Sequence, residues 1–138
     1  MIRILTANPL HTTDMADLLN EVISIGGTTA LASQVTSSDL AAWMSRDPAR
    51  SAWHVAEEVN GSVVGFQWIE PADYLHKNAA EIATFAKIGK TGLGIGSKLF
   101  ETTKTAARRL GYQWINANIR ADNFGGLAYY QSRGFEDY

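Results

Sequence analysis

The sequence predicts a mixed α/β fold, a central mixed sheet flanked by helices, and three observations carry that expectation. Residues 80–87 read as a strand that runs into Gly89, Gly92, Gly94 and Gly96, four glycines within eight residues. Beyond them Ile95, Leu99, Ala106 and Leu110 keep the spacing of one helical face as far as Gly111, a C-terminal stop. Residues 53–58 and 62–69 are two more strand-like runs, joined at Asn60-Gly61, the dipeptide that a tight type I′ hairpin favours. Strands attached to a long amphipathic helix bury its apolar stripe against a sheet, which defines the mixed class.

The other elements follow in chain order. Residues 1–6 alternate weakly and suit a first strand, ended by Asn8-Pro9. Thr12 or Thr13 is placed to cap a helix whose apolar stripe is Met15, Leu18, Leu19, Val22 and Ile23, with Asp14 and Asp17 in its first turns and Gly26-Gly27 as its stop. Residues 28–37 show no clear period and read as a loop or a short helix over the sheet. Ser37 or Ser38 then caps a short helix with Leu40, Trp43 and Met44, closed near Asp47-Pro48. Residues 71–78, between the hairpin and the central strand, are polar and irregular. Residues 114–119 make another strand, Asn123 opens a last helix with Leu127, Ala128, Tyr130 and Gln131, and Gly134-Phe135 leads into a final strand. The expected order is β-α-α-β-β-β-α-β-α-β with a shortened C-terminal end. The four tryptophans, Trp43, Trp53, Trp68 and Trp114, are expected in the core.

Composition narrows the function classes. With 138 residues the expectation is a single domain over residues 1–138, and a chain of this size buries roughly 65–70% of its unfolded surface. A content of 46% hydrophobic and 19% charged residues is that of a globular protein. A formal charge of −2 supplies no electrostatic footprint for nucleic acid. No apolar run approaches the length of a membrane span and no basic-then-apolar leader is visible, so the expected location is the cytoplasm, without membrane contact. The chain has no Cys, which removes disulfides, thiol nucleophiles and zinc-thiolate sites together. His11, His54 and His76 lack ligand spacing, and no metal is expected.

The glycine loop is the main chemical signal. Glycines let backbone N–H groups turn inward, and a helix that starts in such a loop offers N–H groups and the positive end of its dipole to an anion. A phosphate or pyrophosphate is the expected guest. Gly89-Lys90-Thr91 imitates the end of a Walker A loop, but the glycine that motif needs five positions earlier is Thr84 here. The dinucleotide pattern G-x-G-x-x-G fails as well, because Gly92, Gly94 and Gly96 alternate and position 97 is Ser.

Strand, glycine loop, long helix, strand and then Asn123, Tyr130, Gly134 and Phe135 together resemble the GNAT superfamily of acyl-CoA-dependent N-acetyltransferases. Its loop pattern is Q/R-x-x-G-x-G/A, in which Gly94 and Gly96 match while Thr91 stands at the Q/R position, with Lys90 as a substitute cation. Within the superfamily the chain looks most like the phosphinothricin and small amino-acid acetyltransferase branch. Glu81 lies ten residues before the Q/R position, Gly27-Thr28-Thr29 follow the first helix, and Val63-Val64-Gly65 precede a Pro-containing loop.

The resemblance implies acetyl-CoA as co-substrate and transfer of its acetyl group to the primary amine of a small acceptor, an amino acid or an analogue such as phosphinothricin. Glu81 would be the general base and Tyr130 the general acid that protonates the leaving thiolate, with Tyr129 left to packing. Phe85, Ala86 and Lys87 would meet the acetyl group and the pantetheine arm through their backbone. Gly92, Leu93, Gly94, Ile95, Gly96 and Ser97 would hold the pyrophosphate, Lys98 would screen phosphate charge, and Asn123 would bind the arm or cap the last helix. Tyr74, His76 and Lys77 lie on a loop where an acceptor could bind. A non-catalytic acyl-CoA-binding module and a protein N-terminal or lysine acetyltransferase are the alternatives. The family adds two strands after Phe135, so a chain read as far as Tyr138 leaves an edge next to residues 114–119. A homodimer through the C-terminal strands is the expected cover.

Overall fold

A computed structural model describes residues 2–25, 34–87, 89, 94–117 and 134. Its described elements are β1 (Ile2–Thr6), α1 (Thr12–Ile25), α2 (Ser37–Met44), β2 (Ala52–Glu58), β3 (Val63–Glu70), β4 (Ala79–Ala86), α3 (Ile95–Arg109) and β5 (Trp114–Ala117). The strands form one five-stranded sheet in the order β1-β2-β3-β4-β5. The first three pairings are antiparallel and β4 pairs with β5 in parallel, so the sheet is mixed, as the sequence predicts. The last helix and final strand expected after residue 117 lie outside the described residues, as does the Gly26-Gly27 stop.

Side-chain alternation along the strands separates two cores. On one face Trp53, Val55, Phe66 and Trp68 pack with Met15, Leu18, Leu19 and Val22 of α1 and Leu40 of α2. Trp53 and Trp68 are register partners on β2 and β3, and their rings stack 4.1 Å apart at 4°. Such a pair contributes about 0.5–1.5 kcal/mol beyond its buried area. On the other face α3 covers the sheet: Phe100 and Ala107 pack on Ile69, Ala80 and Ile82, and Ile95 and Leu99 pack on Ala56 and Val64.

Four local expectations are corrected. The first cap is Asn8, whose side chain accepts from Leu10 N–H while its own N–H donates to His11 Nδ1, so a 3₁₀ turn at Pro9–His11 precedes α1 and Thr12 lies inside the helix. Thr36, not Ser37 or Ser38, caps α2, in a reciprocal box with Asp39. The hairpin turn is not type I′, which would put Asn60 at positive φ, and among the described residues only glycines have positive φ. Gly61 adopts φ 86° and donates to Glu58 C=O at 2.8 Å, while Glu58 N–H donates to Ser62 C=O, which makes a three-residue loop closed by a left-handed glycine. Finally, Trp114 is 68% exposed rather than in the core. It opens β5, which ends the described sheet beyond α3, and no helix among the described residues covers it there.

Candidate active site

The residues of interest lie along β4, at its two ends and on its two faces. At the far end β4 closes at Ala86, and α3 follows it in the chain. The helix has Gly94 as its N-cap, at φ 74° and without a side-chain cap, a backbone region that glycine enters without steric cost. The first helical hydrogen bond is Lys98 N–H to Gly94 C=O, so the N–H groups of Ile95, Gly96 and Ser97 lie ahead of the ladder. The Ile95 side chain is fully buried, and Lys98 directs its ammonium to Ile2 C=O at 3.4 Å.

Gly65 determines how closely that helix start approaches the sheet. A Cβ at position 65 would lie 2.7 Å from Ile95 Cγ2 and 3.2 Å from Phe85 C=O. Glycine at mid-strand therefore permits a close helix-on-sheet contact at this point. Antiparallel alternation then sorts the backbone of β4. Lys87 N–H donates to Val64 C=O at 2.8 Å, and Phe85, two residues earlier in the same register, repeats that orientation, so both direct their backbone groups to β3. Ala86 lies between them and directs its own to the opposite, β5 side. Of the three residues expected to offer backbone groups to a ligand, only Ala86 has them on that side.

At the near end, Glu81 is the register partner of both Glu70 on β3 and Asn116 on β5. It shares a face with Ala83 and Phe85, which join the α1–α2 core, and is thus across the sheet from α3. Like charges directly opposite on neighbouring strands repel, and each carboxylate here has its own donor. Glu70 Oε2 accepts from Arg46 at 2.7 Å and from the Trp68 indole N–H at 2.9 Å. Glu81 Oε1 accepts from the Tyr74 phenol. Glu70 is thus committed to a cation, whereas the donor to Glu81 is neutral.

The loop before β4 brings one of its three expected residues to the site. Tyr74 reaches Glu81. His76 turns to its own loop, where Nδ1 accepts from Asn78 N–H, and Lys77 stays exposed while its C=O accepts from Arg50 at 2.9 Å. Gly92, Leu93, Asn123 and Tyr130 lie outside the described residues. Glu70, Arg46 and Gly65 were not anticipated as parts of the site. For Gly65 a signal existed, since an isolated glycine inside an apolar strand marks close backbone approach. For Glu70 and Arg46 none did, because their relation to Glu81 depends on strand register.

The chain belongs to the Acetyltransferase (GNAT) family, whose model matches residues 17–135. It is 27% identical over 125 residues to the Bacillus subtilis (strain 168) protein named "Putative phosphinothricin acetyltransferase YwnH", a match that covers 88% of this chain and 76% of the relative. Its fold superposes with a TM-score of 0.86 on a GNAT superfamily phosphinothricin acetyltransferase from Sinorhizobium meliloti solved in complex with AcCoA, at 17% identity and covering 98% and 75% of the two chains. A ribosomal-protein-alanine N-acetyltransferase from Brucella melitensis gives a TM-score of 0.89 at 22% identity, covering 99% and 85%. No helix among the described residues is long and apolar enough to cross a membrane.

Proposed function

We propose that the protein transfers the acetyl group of acetyl-CoA to the primary amine of a small acceptor, an amino acid or an analogue such as phosphinothricin. The observation that carries this reading is the layout of β4. A carboxylate stands near its start on one face, and a glycine-opened helix stands near its end on the other. Glu81 and Ala86 are five residues apart, about 17 Å of extended strand. A guest with phosphates at one end and a reacting group at the other, joined by a long arm, matches that separation. Its arm runs beside the Ala86 backbone, on the side of β4 that faces away from β3.

Ile95, Gly96 and Ser97 bind the pyrophosphate through their N–H groups at the positive end of α3. Glu81 takes a proton from the acceptor ammonium, directly or through a water, which leaves a neutral amine to attack the thioester carbonyl. The new C–N bond forms and the C–S bond breaks, Tyr130 gives its proton to the departing thiolate, and the proton that the acylated nitrogen sheds restores the phenol, directly or through water. Asn123 holds the arm. Binding both reactants in one site supplies much of the acceleration, and no covalent enzyme intermediate is needed, which suits a chain without Cys.

The test is turnover of a panel of small amines with acetyl-CoA, followed by CoA release, for wild type and Glu81→Gln. A single proton-transfer role corresponds to a roughly 10²–10⁴-fold loss, with acetyl-CoA affinity unchanged. A Glu81→Gln protein that turns over at the wild-type rate would refute the assignment. The same proposal takes the enzyme to be cytoplasmic and a homodimer, and the exposed side chain of Trp114 supports the latter. Sedimentation across a concentration series checks the latter, and a persistent 15 kDa species would exclude it.

A further inference from the structure

We infer that Tyr74 is a positioning residue for the reaction, one that acts through Glu81 and not by touching the acceptor; the inference rests on the reading of Glu81 as general base. Three observations support it. First, the Tyr74 phenol donates to Glu81 Oε1, which leaves Oε2 to meet a proton. Second, the cross-strand neighbour Glu70 is already held by Arg46 and Trp68, so the two carboxylates are kept in separate orientations by separate donors. Without the phenol, Glu81 would stand beside a like charge with nothing to fix its rotamer. Third, the loop that carries Tyr74 is tied at several points. Leu75 N–H donates to Ala72 C=O, Ala79 N–H to His76 C=O, and Arg50 to Lys77 C=O, while Asn78 C=O accepts from the N–H groups of Gln113 and Trp114. Arg50 is itself held, with its guanidinium 4.6 Å from the Tyr112 ring and its C=O accepting from the Tyr112 phenol at 2.6 Å. A side chain on a rigidly tethered loop can hold a catalytic group to the tolerance that proton transfer needs.

Tyr74 is 63% exposed, so its replacement by Phe removes a donor without opening a core. The experiment is a kinetic double-mutant cycle on the full chain with Tyr74→Phe, Glu81→Gln and the pair together. Tyr74→Phe is expected to lower kcat by roughly tenfold or more, the worth of one hydrogen bond to a charged group, with the acetyl-CoA Kd and the acceptor KM within about twofold of wild type. In the double variant kcat should equal that of Glu81→Gln alone, because a residue that works through Glu81 has nothing left to position. Tyr74→Phe at the wild-type rate, a change confined to acceptor KM, or effects that multiply in the double variant would each overturn the inference. Wild-type activity in Glu81→Gln is a different outcome, which removes the general-base reading and this inference with it.

Discussion

Replacing Gly65 by Ala tests how the helix start is seated. A Cβ there would stand 2.7 Å from Ile95 Cγ2, 3.2 Å from Phe85 C=O and 3.5 Å from Leu99 Cδ1. An ordinary contact of about 3.5–4.0 Å requires Ile95 to retreat by roughly 1 Å. Gly65 is not among the residues with positive φ, so the cost is one of contact and not of backbone strain. Overpacking by one carbon in a filled core costs about 1–3 kcal/mol, and loss of glycine freedom in the unfolded chain returns about 0.4–1 kcal/mol. The net expectation is a loss of about 1–2 kcal/mol. In urea, with a slope of roughly 1–3 kcal/mol/M, the midpoint should fall by about 0.5–1 M. Because the retreating residue opens α3, acetyl-CoA affinity should fall as well. Ile95→Ala removes the clashing carbon, so Gly65→Ala should cost less in that background, with a coupling of at least about 0.5 kcal/mol. Wild-type stability and wild-type acetyl-CoA affinity in Gly65→Ala would refute the idea that this glycine seats the helix.

Three further outcomes are expected. Gly94→Val should destabilise by about 1–3 kcal/mol through its left-handed backbone alone, since a side chain there meets no neighbour within 4 Å, and it should weaken acetyl-CoA binding in a titration; Gly94→Asn should be far milder. The buried Glu57 accepts from Arg3 at 3.1 Å and from His11 Nε2 at 3.2 Å, and His11 Nδ1 also receives the Asn8 N–H. His11→Ala should therefore lower the melting temperature more than Arg3→Ala, whose side chain is mostly exposed and worth at most about 1 kcal/mol. Burial holds the His54 imidazole below its ordinary value of 6.5, and the Arg109 charge acts in the same direction. Below that value the unfolded chain takes up a proton that the folded chain resists, so stability should fall as pH drops through about 6.5 towards the folded value and be insensitive to this group well above it. Denaturant unfolding from pH 8 to pH 5 should show that decline in wild type to be steeper than in His54→Gln; parallel curves would exclude the assignment.

Local physics made much of this protein legible without a structure. Alternation and β-branching mark β2, β3 and β4, the 3.6-residue stripe marks α1 and α3, and Gly94 announces the loop start of α3, because each property is decided by residues within one turn or one pleat of each other. Glu81 stands out only through the resemblance to the acetyltransferase family, which places a glutamate at this point of the central strand. The hairpin turn shows the limit even at short range, since Asn60-Gly61 is compatible with two turn types and the pairing of Glu58 with Ser62 selects the three-residue loop. The surroundings of Glu81 belong to the tertiary structure alone. Alternation says which face a side chain takes, but a register is set by the sum of contacts along two strands, and that register puts Glu70 opposite Glu81 and Arg46 within reach of Glu70. Tyr74 meets Glu81 because Arg50 and the start of β5 tie down an irregular loop. Gly65 meets Ile95, thirty residues on, because α3 is seated on the sheet by a core drawn from several strands. Such long-range packing choices leave no periodic trace in the sequence, and they are what converts a strand, a loop and a helix into a site.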